Sequence, residues 1–248
     1  MSQSENAFSA NKKINYGVDA PGVIRNLFLA GAAFIVISIF FPVIKIGSVI
    51  IIASGFIWTG LGCALGGVLM LAYSLSGKYK HRDRMLNLIT WRGDEQVLDI
   101  GTGKGLLMIG AAKRLTTGKS TGIDIWNEED LSGNNVDAAL NNAAAEGVKD
   151  KIDVLNENVM NMNFADGTFD VIVTNMCIHN IYNTEGRFKA CQEIVRVLKP
   201  GGKAIIADFR HMREYKKNFD SIGGLKTQLL PANYLTTFPA VGILIVKK

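Results

Sequence analysis

Formal charge disappears from the chain twice near its start. Residues 26–44 carry none over nineteen positions and residues 46–77 none over thirty-two, with Lys45 alone between them. A helix needs about 20 apolar residues to cross the hydrocarbon core. The pattern therefore predicts two transmembrane helices near 24–44 and 49–74, joined by a tight turn at Lys45, Ile46 and Gly47. Helices of a soluble core would show a polar stripe, which neither run has. A cleaved leader does not fit a long polar tail ahead and a second apolar run behind. Gly62 and Gly66 make a small-xxx-small face. Gly31, Ala32 and Ala33 of the first run are its expected partner, and self-association between copies is the alternative.

After residue 94 the period changes. Short apolar runs alternate with helical stretches, as in an α/β domain with a mostly parallel sheet. Strands are predicted over 96–100, 120–125, 152–156, 169–175, 203–208, 226–230 and 241–247, and helices over 106–115, 135–146, 186–198 and 213–222. Pro200, Gly201 and Gly202 stop the third of these helices and turn the chain. The organisation is a polar tail over 1–23, two spans within 24–75, a basic linker and helix over 76–93 and the α/β domain over 94–248.

Charge refines this picture. The net +5 is unevenly placed: residues 1–93 hold nine Lys/Arg against three Asp/Glu, and residues 94–248 hold 18 against 19. The basic excess flanks the apolar runs, and the nearly neutral α/β domain lacks the basic face of a nucleic-acid binder. Lys12, Lys13 and Arg25 precede the first run and Lys78, Lys80, Arg82 and Arg84 follow the second. By the positive-inside rule both ends face the cytoplasm, giving an integral membrane protein with its α/β domain on the cytoplasmic side. Residues 78–84 are expected at the headgroup surface, against membrane lipid. A 48% hydrophobic composition excludes disorder. Cys63, Cys177 and Cys191, with His81, His179 and His211, are too scattered for a disulfide framework or a metal site.

The first predicted strand runs through Val97, Leu98, Asp99 and Ile100 into Gly101, Thr102, Gly103, Lys104 and Gly105, and then into a helix. Glycines allow a tight turn that lets backbone touch a ligand, and the helix start offers free N–H groups. The dinucleotide fingerprint needs G-x-G-x-x-G, but Leu106 stands where its last glycine belongs. A phosphate-binding loop ending in Gly118, Lys119 and Ser120 fails as well, with Lys113 at the leading glycine position. Asp124 closes the second strand, where a carboxylate can accept both hydroxyls of a ribose.

With this spacing the sequence resembles the class I S-adenosylmethionine-dependent methyltransferases, in the branch that includes small-molecule and quinone methylators. The resemblance spans about residues 91–248. It extends to Asp166, Gly167, Thr168, Phe169 and Asp170 before the fourth strand, and to the run from Glu193 to Gly202 before the fifth. It implies a Rossmann-like sheet with helices on both faces and S-adenosyl-L-methionine as cofactor. Gly101, Thr102, Gly103 and Gly105 would pack on the cofactor's amino-acid part, with Asp99 supporting the loop or the ammonium. Asp124 would hold the ribose, and Ile125 and Trp126 would lie beside the adenine. Asn158, with Val159, stands where the family often has Asp, and Asn175 would meet the methionine end.

Methyl transfer needs positioning and a dry site, and a proton acceptor when the nucleophile is a hydroxyl or thiol. His179, in the loop after the fourth strand, is the candidate base. Asn180, Arg210, His211 and Tyr215 are candidates for the substrate mouth, and Cys177 is expected to pack. Residues 127–135 and the tail 231–239, with Tyr234 and Phe238, are candidate lids. The expected acceptor is a lipophilic small molecule or lipid methylated at O, N or S. A non-catalytic cofactor-binding scaffold and a nicotinamide-dependent oxidoreductase are the alternatives.

Overall fold

The computed structural model describes residues 14–127, 131–233 and 236–248. Lys12, Lys13, residues 128–130 of the candidate lid and Tyr234 lie outside the described residues. The first apolar run is helix α1, Pro21–Phe40, with proline at its start, where a missing N–H costs nothing. The second belongs to one continuous helical stretch, Ala53–Leu86, 34 residues long. It comprises α2 (Phe56–Ala72), a π turn (Tyr73–Gly77) and α3 (Lys78–Leu86).

The predicted tight turn is instead an antiparallel hairpin, β1 (Val43–Ile46) on β2 (Val49–Ile52), turned at Gly47 with φ of +59°. Branched Val and Ile dominate both strands, which favours pleated backbone. The two runs thus leave the helical state sooner than charge counting predicts.

The small-residue contact also differs. A Cβ on Gly31 would lie 3.0 Å from the Gly60 carbonyl oxygen, and one on Gly67 3.0 Å from the Phe28 ring. Gly60 and Gly67 therefore form the close-approach face of α2. Gly62 faces open space, and Gly66 only touches Leu27.

The sheet has the order β5-β4-β3-β6-β7-β9-β8. β3 (Gln96–Ile100), β4 (Lys119–Asp124), β5 (Ile152–Asn156), β6 (Phe169–Asn175) and β7 (Leu198–Asp208) run parallel, while β9 (Val241–Lys247) and β8 (Lys226–Asn233) complete the far edge antiparallel. β8 takes in Pro231 to Asn233, so the predicted tail lid begins as an edge strand. Helices α4 (Leu106–Ala112), α5 (Val136–Ala145), α6 (Thr184–Val197) and α7 (Met212–Ile222) follow the order the periodicity predicts.

Leu98, Ile100 and Ile172 pack with Ile194 of α6 and Phe219 of α7 on one face. Val97, Val171, Val173 and Ile205 pack with Leu107 and Ala111 of α4 and Met85 and Leu86 of α3 on the other. Residues 78–86, within the stretch expected as a basic linker and helix, thus form a helix packed on the sheet. Lys78 and His81 are buried among the sheet-covering side chains. Gly110 of α4 gives Arg82 and Leu86 room, since a Cβ there would lie 2.8 Å from each. The helix that carries the second apolar run thus ends inside the α/β domain.

Candidate functional site

Strand order reverses about β3, with β4 on one side and β6 on the other. Ligands of open α/β sheets bind at such a switch point, outside the C-terminal strand ends. The glycine loop leaves β3 there, and Gly101, Gly103 and Gly105 all have positive φ, at +71°, +53° and +85°. A Cβ on Gly101 would stand 2.5 Å from Cys177 Sγ, so absence of a side chain is what lets the β3 and β6 loops meet. Three residues with side chains also hold positive φ beyond strand ends: Trp126 (+61°) after β4, Met176 (+51°) after β6 and His211 (+59°) after β7. Backbone strain of this kind collects at functional sites.

Asp99 is buried at the loop. Its Oδ2 accepts from Thr102 Oγ1 (2.8 Å) and the Met108 N–H (2.9 Å), and its Oδ1 has no partner among the described residues. Burial pushes its pKa up to about 7, against the lowering effect of those two bonds. Asp124 accepts from the Gly103 N–H (2.8 Å) and the Trp126 N–H (2.7 Å), and Asn134 Nδ2 approaches at 3.5 Å. A carboxylate has about four acceptor positions, so room remains for ribose hydroxyls.

Trp126 Nε1 and Asn134 Oδ1 are also buried and unpartnered among the described residues. Such atoms around one loop need a ligand or water to satisfy them. An ammonium suits Asp99, hydroxyls suit Asp124, and a cradle without Cβ atoms suits close contact, so these residues fit a nucleoside bearing an amino-acid group.

The other predicted cofactor residues are distributed around this core. Ile125 is exposed, at 65%, beside Trp126. The Glu157 N–H reaches the Asp124 carbonyl at 3.3 Å, which puts the turn after β5 next to the loop after β4. In that turn Val159 is buried, whereas Asn158 is exposed and its Oδ1 already accepts from the Met160 N–H (2.9 Å). Asn175 lines the cavity over the glycine loop with Asp99, Gly101 and Thr102. His81 Nε2 lies 3.2 Å from Asn175 Oδ1. Burial and the neighbouring Arg84 lower the His81 pKa to about 4, so the neutral ring serves as donor to Asn175.

His179 sits in a 3-10 turn, Ile178–Asn180, immediately after Cys177. Its Nδ1 is 3.0 Å from Asp208 Oδ1, and the Phe209 ring stands edge-on at 4.6 Å. Asp208 also accepts from the Phe209 N–H at 2.8 Å. Tyr215, expected at the substrate mouth, is fully buried and directs its hydroxyl to Asp208 Oδ2 at 3.4 Å. It supports Asp208 and cannot line an open mouth. Asn180 and Arg210 are exposed, and His211 pairs with Glu214 at 3.1 Å.

Asp208 was not singled out by sequence, although it ends a predicted strand next to β6. Residues 14–20, Tyr16 and Asp19 among them, are missed entirely as site elements. This strap crosses the glycine loop: Asn15 exchanges hydrogen bonds with Asn142, Val18 bonds Ser132, and Asp19 bridges to Leu131. A larger cleft lies at the opposite end of the strands. Its Asp170 is already paired with Lys199 (2.7 Å) and Arg92 (3.4 Å), leaving little for a ligand.

An open, mostly parallel sheet with a glycine cradle and a strand-end carboxylate gives a Rossmann-like build with room for a nucleoside at the switch point. Residues 97–202 match the family model described as a methyltransferase domain. Among similar proteins is a ubiquinone/menaquinone biosynthesis C-methyltransferase of Roseobacter denitrificans, 27% identical over 131 residues, or 53% of this chain and 49% of that one. A sterol 4-C-methyltransferase of Caenorhabditis elegans is 35% identical over 121 residues, 49% of this chain and 33% of that one. The chain thus spans about half or less of these two relatives' length. In fold it is similar to a SAM-dependent methyltransferase from Aquifex aeolicus, with a TM-score of 0.52 at 20% identity, covering 67% of this chain and 88% of that one.

The raised pKa of Asp99 makes a prediction. A ligand ammonium beside Oδ1 favours the ionised carboxyl, so binding below pH 7 must release a proton. Affinity for the cofactor should fall about tenfold per pH unit below 7. Calorimetry at pH 6 in two buffers of different ionisation enthalpy should read release of nearly one proton. Equal heats in both buffers would show that Asp99 does not face the ammonium.

Proposed function

We propose that the protein is a membrane-held methyltransferase that moves a methyl group from S-adenosylmethionine to a lipophilic small molecule on the cytoplasmic side. The observation that carries this reading is the continuity of Ala53–Leu86. A stretch with exposed Trp58, Leu61, Leu65 and Val68 runs without a break into a helix buried against the sheet. About 20 residues suffice to cross the bilayer, so the remaining turns belong to the domain. They would hold the switch point close to the membrane surface. Arg25 and Lys80, on the same end of the two helices, favour the cytoplasmic orientation. The relatives named for quinone and sterol methylation support a lipophilic acceptor.

Gly101, Gly103 and Asp124 hold the cofactor in this reading, with Asp99 at its ammonium, Trp126 beside the adenine and Asn175 at the methionine end. When bound, S-adenosylmethionine supplies a methyl group on a sulfonium that leaves readily. His179 accepts the acceptor's proton at Nε2, because Nδ1–H is directed to Asp208 and fixes that tautomer. Asp208, held by the Phe209 N–H and Tyr215, stabilises the resulting imidazolium. Deprotonation prepares an O, N or S nucleophile, and equally a phenolic ring that reacts at carbon.

The test uses the full chain, because truncation at the membrane segment would also remove the strap. Alkaline-washed membranes should retain the protein. Labelled methyl should pass to quinols or lipophilic phenols with kcat/KM at least tenfold above water-soluble analogues. Asp124→Ala should weaken cofactor binding about ten- to a hundredfold, since charge-assisted bonds to the ribose and the support of two loop N–H groups go together. Release into the soluble fraction, or equal turnover of both acceptor types, defeats the membrane reading. Binding of NADH in place of S-adenosylmethionine defeats the cofactor assignment.

A further inference from the structure

The cavity over the glycine loop is completed by residues from outside the family-matched region: Tyr16 and Asp19 of the strap and Lys78 at the start of α3. Lys78 is 3% exposed, and its Nζ donates to the carbonyls of Tyr16 (2.9 Å) and Gly17 (2.6 Å). Its third contact, Asp19 Oδ2, is 3.4 Å away, beyond the 2.7–2.9 Å usual for a charge-assisted bond. Asp19 Oδ2 accepts from Ser74 Oγ at 2.9 Å. Two carbonyls therefore aim the ammonium, and one of its hydrogens is poorly used. The same cavity is lined by Asp99, whose Oδ1 is buried without a partner, and by Asn175.

A buried cation is costly unless well paired, and this one stands beside the Asp19 carboxylate in a cavity that the Asp99 carboxylate also lines. The set is complementary to a zwitterion: a cation for a carboxylate, and carboxylates for an ammonium. An adenosine group offers neither charge.

We propose that Lys78 and Asp19 form the subsite for the amino-acid end of the cofactor. Lys78 takes the carboxylate, and Asp19 joins Asp99 at the ammonium. This rests on the cofactor assignment above and adds residues to it. Asp19 precedes α1 and Lys78 follows α2, so the two cytoplasmic ends of the apolar hairpin meet on the bound molecule. Cofactor recognition and placement of the hairpin on the domain then depend on the same contacts.

The experiment compares two nucleosides by calorimetry on the full-length protein in lipid nanodiscs. S-adenosylhomocysteine carries the amino-acid group, and 5′-methylthioadenosine lacks it. Lys78→Met should weaken S-adenosylhomocysteine about ten- to a hundredfold and leave methylthioadenosine within twofold. Retained methylthioadenosine binding also reports that the variant is folded. Asp19→Asn, which keeps the side-chain shape, should show the same selective loss at a few-fold to tenfold. Equal weakening of both ligands in Asp19→Asn, or no weakening of S-adenosylhomocysteine in either variant, overturns the subsite. Failure of the wild-type protein to bind either nucleoside overturns the cofactor assignment itself, and the subsite with it.

Discussion

On the proposed mechanism His179→Ala should lower kcat for a hydroxyl acceptor by two to four orders of magnitude, the range a positioned general base supplies, and leave cofactor affinity within threefold. The proposed role uses the 3.0 Å contact from Nδ1 to Asp208, which would leave Nε2 to accept the proton. Asp208→Asn removes the charge that stabilises the imidazolium, and kcat should fall by about one to two orders of magnitude. Tyr215→Phe, which removes one 3.4 Å contact to Asp208, should cost tenfold or less.

A base can be separated from a merely structural residue by the pH profile. A phenolic acceptor ionises on its own near pH 10. The deficit of His179→Ala should therefore shrink toward that pH, whereas a misshapen site would stay slow at every pH. A variant that keeps more than a tenth of wild-type kcat at pH 7 removes His179 from the mechanism.

Gly101→Ala should abolish measurable cofactor binding and lower Tm by about 4–20 °C. Left-handed backbone costs a residue with a side chain about 1–2 kcal/mol, and Gly101 has φ of +71°. The new Cβ would also stand 2.5 Å from Cys177 Sγ and 2.6 Å from Cys177 Cβ. The thiol could rotate, but the Cβ cannot, so the backbone after β6 must move. Overpacking of this kind costs about 1–3 kcal/mol more, and each kcal/mol shifts Tm by about 2–4 °C in a chain of this size. Displacing Cys177 also drags Asn175 and His179, which lie two residues to either side. Gly147→Ala is the control: its φ is likewise +71°, but nothing lies within 4 Å of the new Cβ. It should carry the backbone cost alone and leave cofactor affinity unchanged. Equal effects of the two substitutions on affinity would show that contact with Cys177 does not shape the site.

Much of the α/β domain was legible because its signals are local. Runs such as Val171, Ile172 and Val173 mark strands buried on both faces, and four strands match their predicted limits. The glycine loop and Asp124 were legible for the same reason, since tight turns restrict residue choice within a few positions.

Boundaries failed where two structures compete for the same apolar residues. Val49 to Ile52 suits a span by hydropathy and a strand by branching, and the hairpin pairing decides between them. The small-residue contact failed because spacing does not reveal helix rotation. Gly60 and Gly67 face α1, and Gly62 faces outward.

By itself, then, the sequence determined the order of strands and helices, the apolar runs, the glycine cradle and the strand-end carboxylate, each by propensity, periodicity or turn chemistry over a short stretch. Tertiary structure alone decided that residues 78–86 cover the sheet, that Tyr215 supports Asp208, that Asp208 orients His179, and that Asp19 meets Lys78 over the glycine loop. The physical reason is separation along the chain: Asp19 and Lys78 are 59 positions apart, and His179 and Asp208 are 29 apart. Local preferences do not encode such pairs, which form when helices dock on the sheet and buried charges settle on the partners left within reach.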